Sequence, residues 1–188
     1  KSVDDIKGKR ISVGAPKSGT ELNSRAILAA AGISYKDFAK VEYLSYAESV
    51  ELMKNRQLDV TLLSSGAGVA ALRDLATSQK VVFLTIPEEI VKKIDDPAYQ
   101  VGVIPANTYE GQTSDVKTVS VQNFLVTHSG VSEQTVYTMT KTMFENLDQM
   151  VAAHAAAKGI KLENAAKNPP APLHPGAERY YKEVGVLK

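Results

Sequence analysis

At 188 residues the chain is long enough for one ordinary domain or for two small lobes. Hydrophobic residues make up 44% and charged residues 23%, the balance of a folded globular chain, and a net charge of +1 with scattered basic residues implies no polyanionic partner, nucleic acid included. Cysteine is absent, which removes disulfides, thiol catalysis and cysteine-ligated metals and fits an oxidising compartment, and no apolar run approaches the ~18 residues of a membrane span.

Lys1 to Lys9 reads as a charged lead-in with a helical turn at Val3-Asp4-Asp5-Ile6. A start at Lys1, so close to that turn, points to the middle of a longer protein, already processed or cut. Arg10-Ile11-Ser12-Val13 is a short strand, with Ile11 and Val13 alternating with Ser12. Gly14 and Pro16 then punctuate the chain, and Ser18 or Thr20 can cap a helix running to about Ala31. Leu22, Ala26, Ile27 and Ala30 fall at helical spacing, and Gly32 stands where a left-handed terminating residue belongs.

Val41 to Leu44 is a second strand. Ser45-Tyr46-Ala47-Glu48 fits a capping box opening a helix to about Arg56. Leu58 to Leu63 is apolar enough for the interior of a parallel sheet, and Ser64-Ser65-Gly66-Ala67-Gly68 is a second small-residue turn before a helix through Val69, Leu72, Leu75 and Ala76. Val81 to Ile86 reads as a further strand, and Pro87-Glu88-Glu89 starts another helix. This alternation over Arg10 to Ile94 predicts an α/β fold with a doubly wound parallel sheet. Tyr99–Ile104, Val116–Val121 and Phe124–Thr127 read as three more strands. Helices are expected over Glu133–Leu147 and Asp148–Lys158, then a proline-rich loop at Asn168–Pro172 and a last helix from Pro175 to Val184. There is no internal repeat beyond the strand–helix units.

In doubly wound sheets ligands bind outside the carboxyl ends of the strands, where both glycine turns open. The first turn is also a helix start, with unpaired N–H groups and the positive end of the dipole, so it is built to receive an anion. Lys17, Ser18 and Thr20 add a charge and two hydroxyls. Gly14 and Gly19 have the spacing of a phosphate-binding P-loop, but Thr20 and Glu21 stand where its lysine and hydroxyl residue belong. A small anion, most simply a carboxylate, is the better guest.

Other chemistry finds no frame. His128, His154 and His174 are the only histidines, none at metal-ligand spacing from another, and no cofactor fingerprint occurs. The serines of Ser64-Ser65-Gly66-Ala67-Gly68 lie on the wrong side of Gly66 for a nucleophile elbow. Asp4-Asp5 and Asp95-Asp96 read as solvated caps, and Tyr180-Tyr181 as a helix docking on a core.

Four stretches, in order, carry a family resemblance: Lys7-Gly8-Lys9-Arg10-Ile11-Ser12-Val13-Gly14-Ala15-Pro16 continuing through Ser18-Gly19-Thr20-Glu21; Ile104-Pro105-Ala106 with Thr108-Tyr109 and Gly111-Gln112; Leu125-Val126-Thr127-His128; and Leu173-His174-Pro175-Gly176-Ala177-Glu178-Arg179-Tyr180-Tyr181-Lys182-Glu183. Together they strongly resemble the TAXI family, the extracytoplasmic solute receptors of TRAP-type secondary transporters, over nearly the whole chain. The resemblance implies a bilobed, type II periplasmic-binding-protein architecture that closes on a small carboxylate such as glutamate, glutamine or a dicarboxylate, without enzymatic activity or cofactor. It implies a periplasmic location, TRAP membrane subunits as partners, and a ligand crevice lined by Gly14, Lys17, Ser18, Gly19, Thr20, Ser64, Ser65 and Gly66.

On this pattern residues 1–105 form the second lobe and residues 106–188 the hinge crossing and the C-terminal part of the first. On the same pattern the family's glycine-rich opening segment, half of its ligand site, is expected to be missing from these residues. The apolar stripe Val136, Met139, Met143, Phe144, Leu147, Met150 and Val151 is therefore expected to need a partner surface, such as a second copy of the chain. Lys17 stands where the family more often has a small residue: pointing into the crevice it would favour a more acidic ligand, pointing out it is only solvated. An effector-binding regulatory domain of the same architecture is the alternative reading, although no helix-turn-helix accompanies it here. An enzyme of this fold comes third, for want of an acid–base or nucleophile constellation.

Overall fold

Ile11, Ser12 and Val13 are 1%, 0% and 0% exposed, and the first half of the chain is assembled around them. The computed structural model describes residues 2–188. Strand β1 (Arg10–Ser12) lies between β2 (Lys40–Glu42) and β3 (Val60–Thr61), parallel to both, in the order β2-β1-β3. Ile11 sits opposite Val41 on one side and Val60 on the other. Pairing continues one bond further at each strand end, from Val13 N–H to Glu42 O (3.0 Å) and from Leu62 N–H to Ser12 O (3.1 Å).

Alternation along β1 decides where the helices go. Ile11 and Val13 meet Leu28 of helix α1 (Gly19–Ala30) in a core shared with Ile6, Ile33 and Phe38. Ser12 points to the opposite face, where its hydroxyl bonds Ser49 of α2 (Tyr46–Lys54) at 2.8 Å. Helices α1 and α2 thus cover different faces, and the chain reverses direction across the sheet between β1 and β3. This is the expected α/β, doubly wound arrangement of a periplasmic-binding-protein-like fold.

Local chemistry sets the helix ends. Ser18 caps α1 by accepting from Glu21 N–H, and Gly32, with φ +71°, follows its last turn. Ser45 and Glu48 form the capping box of α2. α3 (Ala70–Ser78) buries Leu75 and Ala76, and α4 spans Glu88–Val91.

Two predicted strands do not form. Within Val81–Ile86 the one ladder-like bond runs from Ile86 N–H to Lys117 O (3.0 Å). Its apolar residues serve individually instead: Leu84 packs on the core and Phe83 stacks on Tyr109. Phe124–Thr127 is also irregular, with Leu125 77% and Val126 72% exposed. An apolar run signals burial or pairing but does not supply a partner. β4 (Tyr99–Ile104) and β5 (Val116–Val121) pair as an antiparallel hairpin, Tyr99 opposite Val121.

The hairpin belongs to the first of the two compact units of the chain. The units divide after Gln122, and β5 is tied to β4 along its whole length. The unit from Asn123 to Lys188 holds α5 (Glu133–Glu145), α6 (Leu147–Ala153) and α7 (Pro175–Glu183). α6 stops short of the expected Lys158 because His154 turns extended, its ring capping a 3-10 turn over Ala155–Gly159. Part of the apolar stripe on α5 finds its partner in this unit: Phe144 stacks on Tyr180 of α7 at 6.0 Å, and Val136 is buried, while Met139 stays half exposed. No described helix is long and apolar enough to cross a membrane.

Candidate functional site

The turn after β1 is shaped by Gly14, whose φ is +102°. A Cβ there would lie 2.7 Å from Cβ and Cγ2 of Thr20 and 3.0 Å from the Glu21 nitrogen, so only glycine lets the first turn of α1 fold back this closely. Ser24 reinforces the fold-back by donating to Val13 O at 2.9 Å. Gly19 and Thr20 consequently present N–H groups with no partner among the described residues, at the positive end of a 12-residue helix. Ser18 uses its oxygen as the cap and keeps its proton for donation.

The two glycine turns meet here. Tyr46 has a single phenolic proton, and it is donated to Ser64 O at 2.5 Å. The 2.9 Å contact between Thr20 and Tyr46 must then run from the Thr20 hydroxyl to the Tyr46 oxygen. Asn23 adds a second link, donating to the Ser64 hydroxyl at 2.6 Å while accepting from Tyr99 at 2.8 Å. The turn after β1 and the turn after β3 are joined by a chain of hydrogen bonds at the point where the sheet reverses direction.

Of the residues named from sequence, Gly14, Ser18, Gly19, Thr20 and Ser64 come together at this junction. Thr20 is 7% exposed with its proton committed to Tyr46, so its hydroxyl reaches any guest only as an acceptor. Ser65 and Gly66 are exposed in the same turn. Lys17 sits elsewhere. With φ +60° it lines an open groove of about 540 Å³ together with Pro16, Glu21, Leu22, Arg25 and Tyr43, and no residue of the β3 turn shares that groove.

Glu21, 5% exposed in the first turn of α1, would repel an anion if its charge were uncompensated. Its carboxylate accepts from Arg25 at 2.6 Å and from the Tyr35 hydroxyl at 3.0 Å. The Arg25 bond holds the Glu21 carboxyl below the usual carboxylate range, and burial together with Glu21 pushes the Tyr35 phenol up to about 12. The helix start is left with its own dipole field.

Among the described residues no three His, Asp or Glu side chains cluster closely enough to hold a metal ion. His174 is consumed locally: its ring accepts from Gly176 N–H at 3.2 Å and caps α7, with Pro175 at the first helical position.

A family model described as the NMT1-like family matches residues 1–185. The chain belongs to that family. NMT1-like proteins include solute-binding proteins of the periplasmic-binding-protein kind, generally without enzymatic activity, and a general solute-binding role comes with membership.

Sequence reasoning missed the groups that join the turns of this NMT1-like protein. Tyr46 looked like an ordinary first-turn residue after a capping serine, and Asn23 and Tyr99 are 76 positions apart. Tyr109 stood inside a quoted motif without a role. In the structure it is 5% exposed, stacked on Phe83 at 4.8 Å, and accepts from Gly68 N–H at 2.9 Å. Gln112 staples that loop, its amide donating to Ile104, Pro105 and Ser114 carbonyls.

Proposed function

We propose that the protein is an extracytoplasmic receptor of the TAXI kind, which captures a small carboxylate such as glutamate, glutamine or a dicarboxylate and passes it to TRAP-type membrane subunits. The observation that carries the reading is the hydrogen-bonded junction of two glycine turns at the reversal point of a doubly wound sheet, with the free N–H groups of Gly19 and Thr20 and the Ser18 hydroxyl. Membership of the NMT1-like family supports solute binding in general. The four TAXI-like motifs add the receptor class and the carboxylate, and with them the periplasmic location.

Titration calorimetry of the purified full-length receptor against L-glutamate, L-glutamine and succinate, with mass spectrometry of any solute that co-purifies, tests this. Binding of at least one of them near micromolar strength, about 8 kcal/mol, is expected. A protein that binds none of the three and releases no carboxylate on denaturation is not a receptor of this class. Lys17→Gln should leave affinity unchanged, because Lys17 lines the other groove; a loss confined to the dicarboxylate, shrinking as salt rises, would place Lys17 in the ligand site.

A further inference from the structure

Beyond Ser64 the turn after β3 continues to Gly68, whose φ is +84°. Two side chains from different parts of the chain converge on this residue. The guanidinium of Arg73, one turn into α3, lies against it: a Cβ at position 68 would be 2.9 Å from an Arg73 terminal nitrogen and 3.5 Å from Cζ and Nε. On the other side Tyr109 accepts from Gly68 N–H at 2.9 Å. Glycine at 68 therefore keeps open the space that the guanidinium occupies.

Both groups hold donors that no described residue uses. Arg73 makes no side-chain hydrogen bond or ion pair among the described residues. Its neighbour Asp74 is taken by Lys54 at 2.6 Å, so the nearest carboxylate in sequence is already spent. Tyr109 is 5% exposed, yet its phenolic proton has no acceptor among the described residues; its oxygen serves only as the acceptor for Gly68. A phenolic O–H with no acceptor among the described residues, beside an exposed guanidinium with no internal partner, is a pair of donors that an anion can bridge. Tyr109 is also held rigidly, by stacking on Phe83 and by the Gln112 side chain accepting from its N–H at 3.3 Å.

The spacing admits a carboxylate. Each group is 2.9 Å from its reference position on Gly68, and those positions are ~2.5 Å apart by covalent geometry, so the two donors are at most about 8 Å apart. A carboxylate accepting one ordinary hydrogen bond on each oxygen spans that distance, and the guanidinium offers it a planar two-donor fork.

We propose that Arg73 and the Tyr109 hydroxyl form a carboxylate-binding subsite at Gly68, which takes one carboxylate of the captured solute. This rests on the receptor reading above and assigns its principal cationic contact to a residue outside both glycine-turn motifs. The subsite selects a carboxylate over the corresponding amide, because only the charged group satisfies the guanidinium.

Titration of L-glutamate, L-glutamine, succinate and sulfate into the unchanged protein and into Arg73→Gln, Arg73→Lys, Tyr109→Phe and Lys80→Gln tests it. Arg73→Gln should weaken the tightest carboxylate by about 10- to 100-fold, Arg73→Lys should recover part of that, and Tyr109→Phe should lose a smaller factor. Lys80→Gln removes the same charge from an exposed position and should change nothing. Both Arg73 variants alter an exposed residue with no internal partner, and matching circular dichroism would confirm that they fold. If the unchanged protein binds no carboxylate, the receptor reading falls and takes this subsite with it. If it binds one and Arg73→Gln stays within about twofold, or Lys80→Gln loses as much, the subsite alone is overturned. Sulfate bound as tightly as the carboxylates, with the same dependence on Arg73, would reduce the site to an unselective anion contact and overturn the carboxylate assignment.

Discussion

The bond chain from Thr20 through Tyr46 to Ser64 can be taken apart one link at a time. Thr20→Val keeps the shape of the side chain and removes the donor to Tyr46. Tyr46 is only half buried, so water replaces that bond, and the stability loss should be about 0.5–1.5 kcal/mol. Tyr46→Phe does more. It strands the Thr20 hydroxyl, which is 7% exposed, and removes the donor to Ser64 O, which water reaches because Ser64 is exposed. A buried unsatisfied hydroxyl costs ~1–3 kcal/mol, so this variant should lose roughly 1.5–3.5 kcal/mol. With Val already at position 20 there is no hydroxyl left to strand, and Tyr46→Phe should then cost about 1 kcal/mol less. Urea unfolding of the two single variants and the double measures that coupling directly. A coupling below about 0.3 kcal/mol would mean that Thr20 does not donate to Tyr46, and the proton assignment would fail. The same variants separate anchoring from ligation. With the hydroxyl proton committed to Tyr46, Thr20→Val should change carboxylate affinity by less than about fivefold. A loss of ~1.5–3 kcal/mol in binding, with stability unchanged, would make Thr20 a direct ligand instead.

Gly14→Ala puts a methyl group into Thr20 at a left-handed backbone angle, so a stability loss of about 2–4 kcal/mol is expected by urea unfolding, and a loss under 0.5 kcal/mol would show that the turn can open without cost. Arg10 grips Asp59 through its side chain at 2.7 and 2.8 Å and its own N–H at 3.0 Å, which holds the Asp59 carboxyl well below its ordinary value of 3.8. A depressed folded-state value means that stability is present above pH ~4 and is lost as pH falls through the folded value. The difference in melting temperature between the unchanged protein and Asp59→Asn should therefore be widest at neutral pH and close below pH ~4; a constant gap would refute the linkage.

What the sequence made legible was local. Ser18 as one of two candidate caps, the capping Ser45, the terminating Gly32 and the proline after His174 are each read within four residues, and each appears in the structure. The alternation Ile11-Ser12-Val13 was legible for the same reason, because two sheet faces demand opposite side chains. Long-range hydrogen bonding was not. Val81–Ile86 and Phe124–Thr127 have strand composition but find no neighbouring ladder, and a single sequence does not encode where a neighbour will be. The links that assemble the site, Thr20 to Tyr46, Asn23 to Tyr99 and Gly68 to Tyr109, span 26 to 76 positions and leave no periodic trace.

The helical unit offers a test that is independent of any ligand. Gly176 sits in the first turn of α7 and is buried against α5, where a Cβ would collide with the Glu133 carbonyl oxygen and lie 2.6 Å from the Tyr137 nitrogen. These are backbone atoms, so no rotamer change relieves the clash, and the two helices must separate. Separation undoes the contact of Tyr180 with Phe144 and Tyr137, centroids 6.0 and 6.2 Å apart, and uncovers Tyr180 and Tyr181, which are 5% and 8% exposed. Aromatic pairs of this kind contribute about 0.5–1.5 kcal/mol each beyond their buried area, so Gly176→Ala should cost at least ~3 kcal/mol. Tyrosine fluorescence together with hydrogen exchange resolved by peptide reads the effect: amides of α5 and α7 should lose protection, while those of β1 and α1, in the other compact unit, keep theirs. If α5 and α7 keep full protection in Gly176→Ala, the close approach of the helices is not required. If β1 and α1 lose protection in step, the two units do not unfold separately.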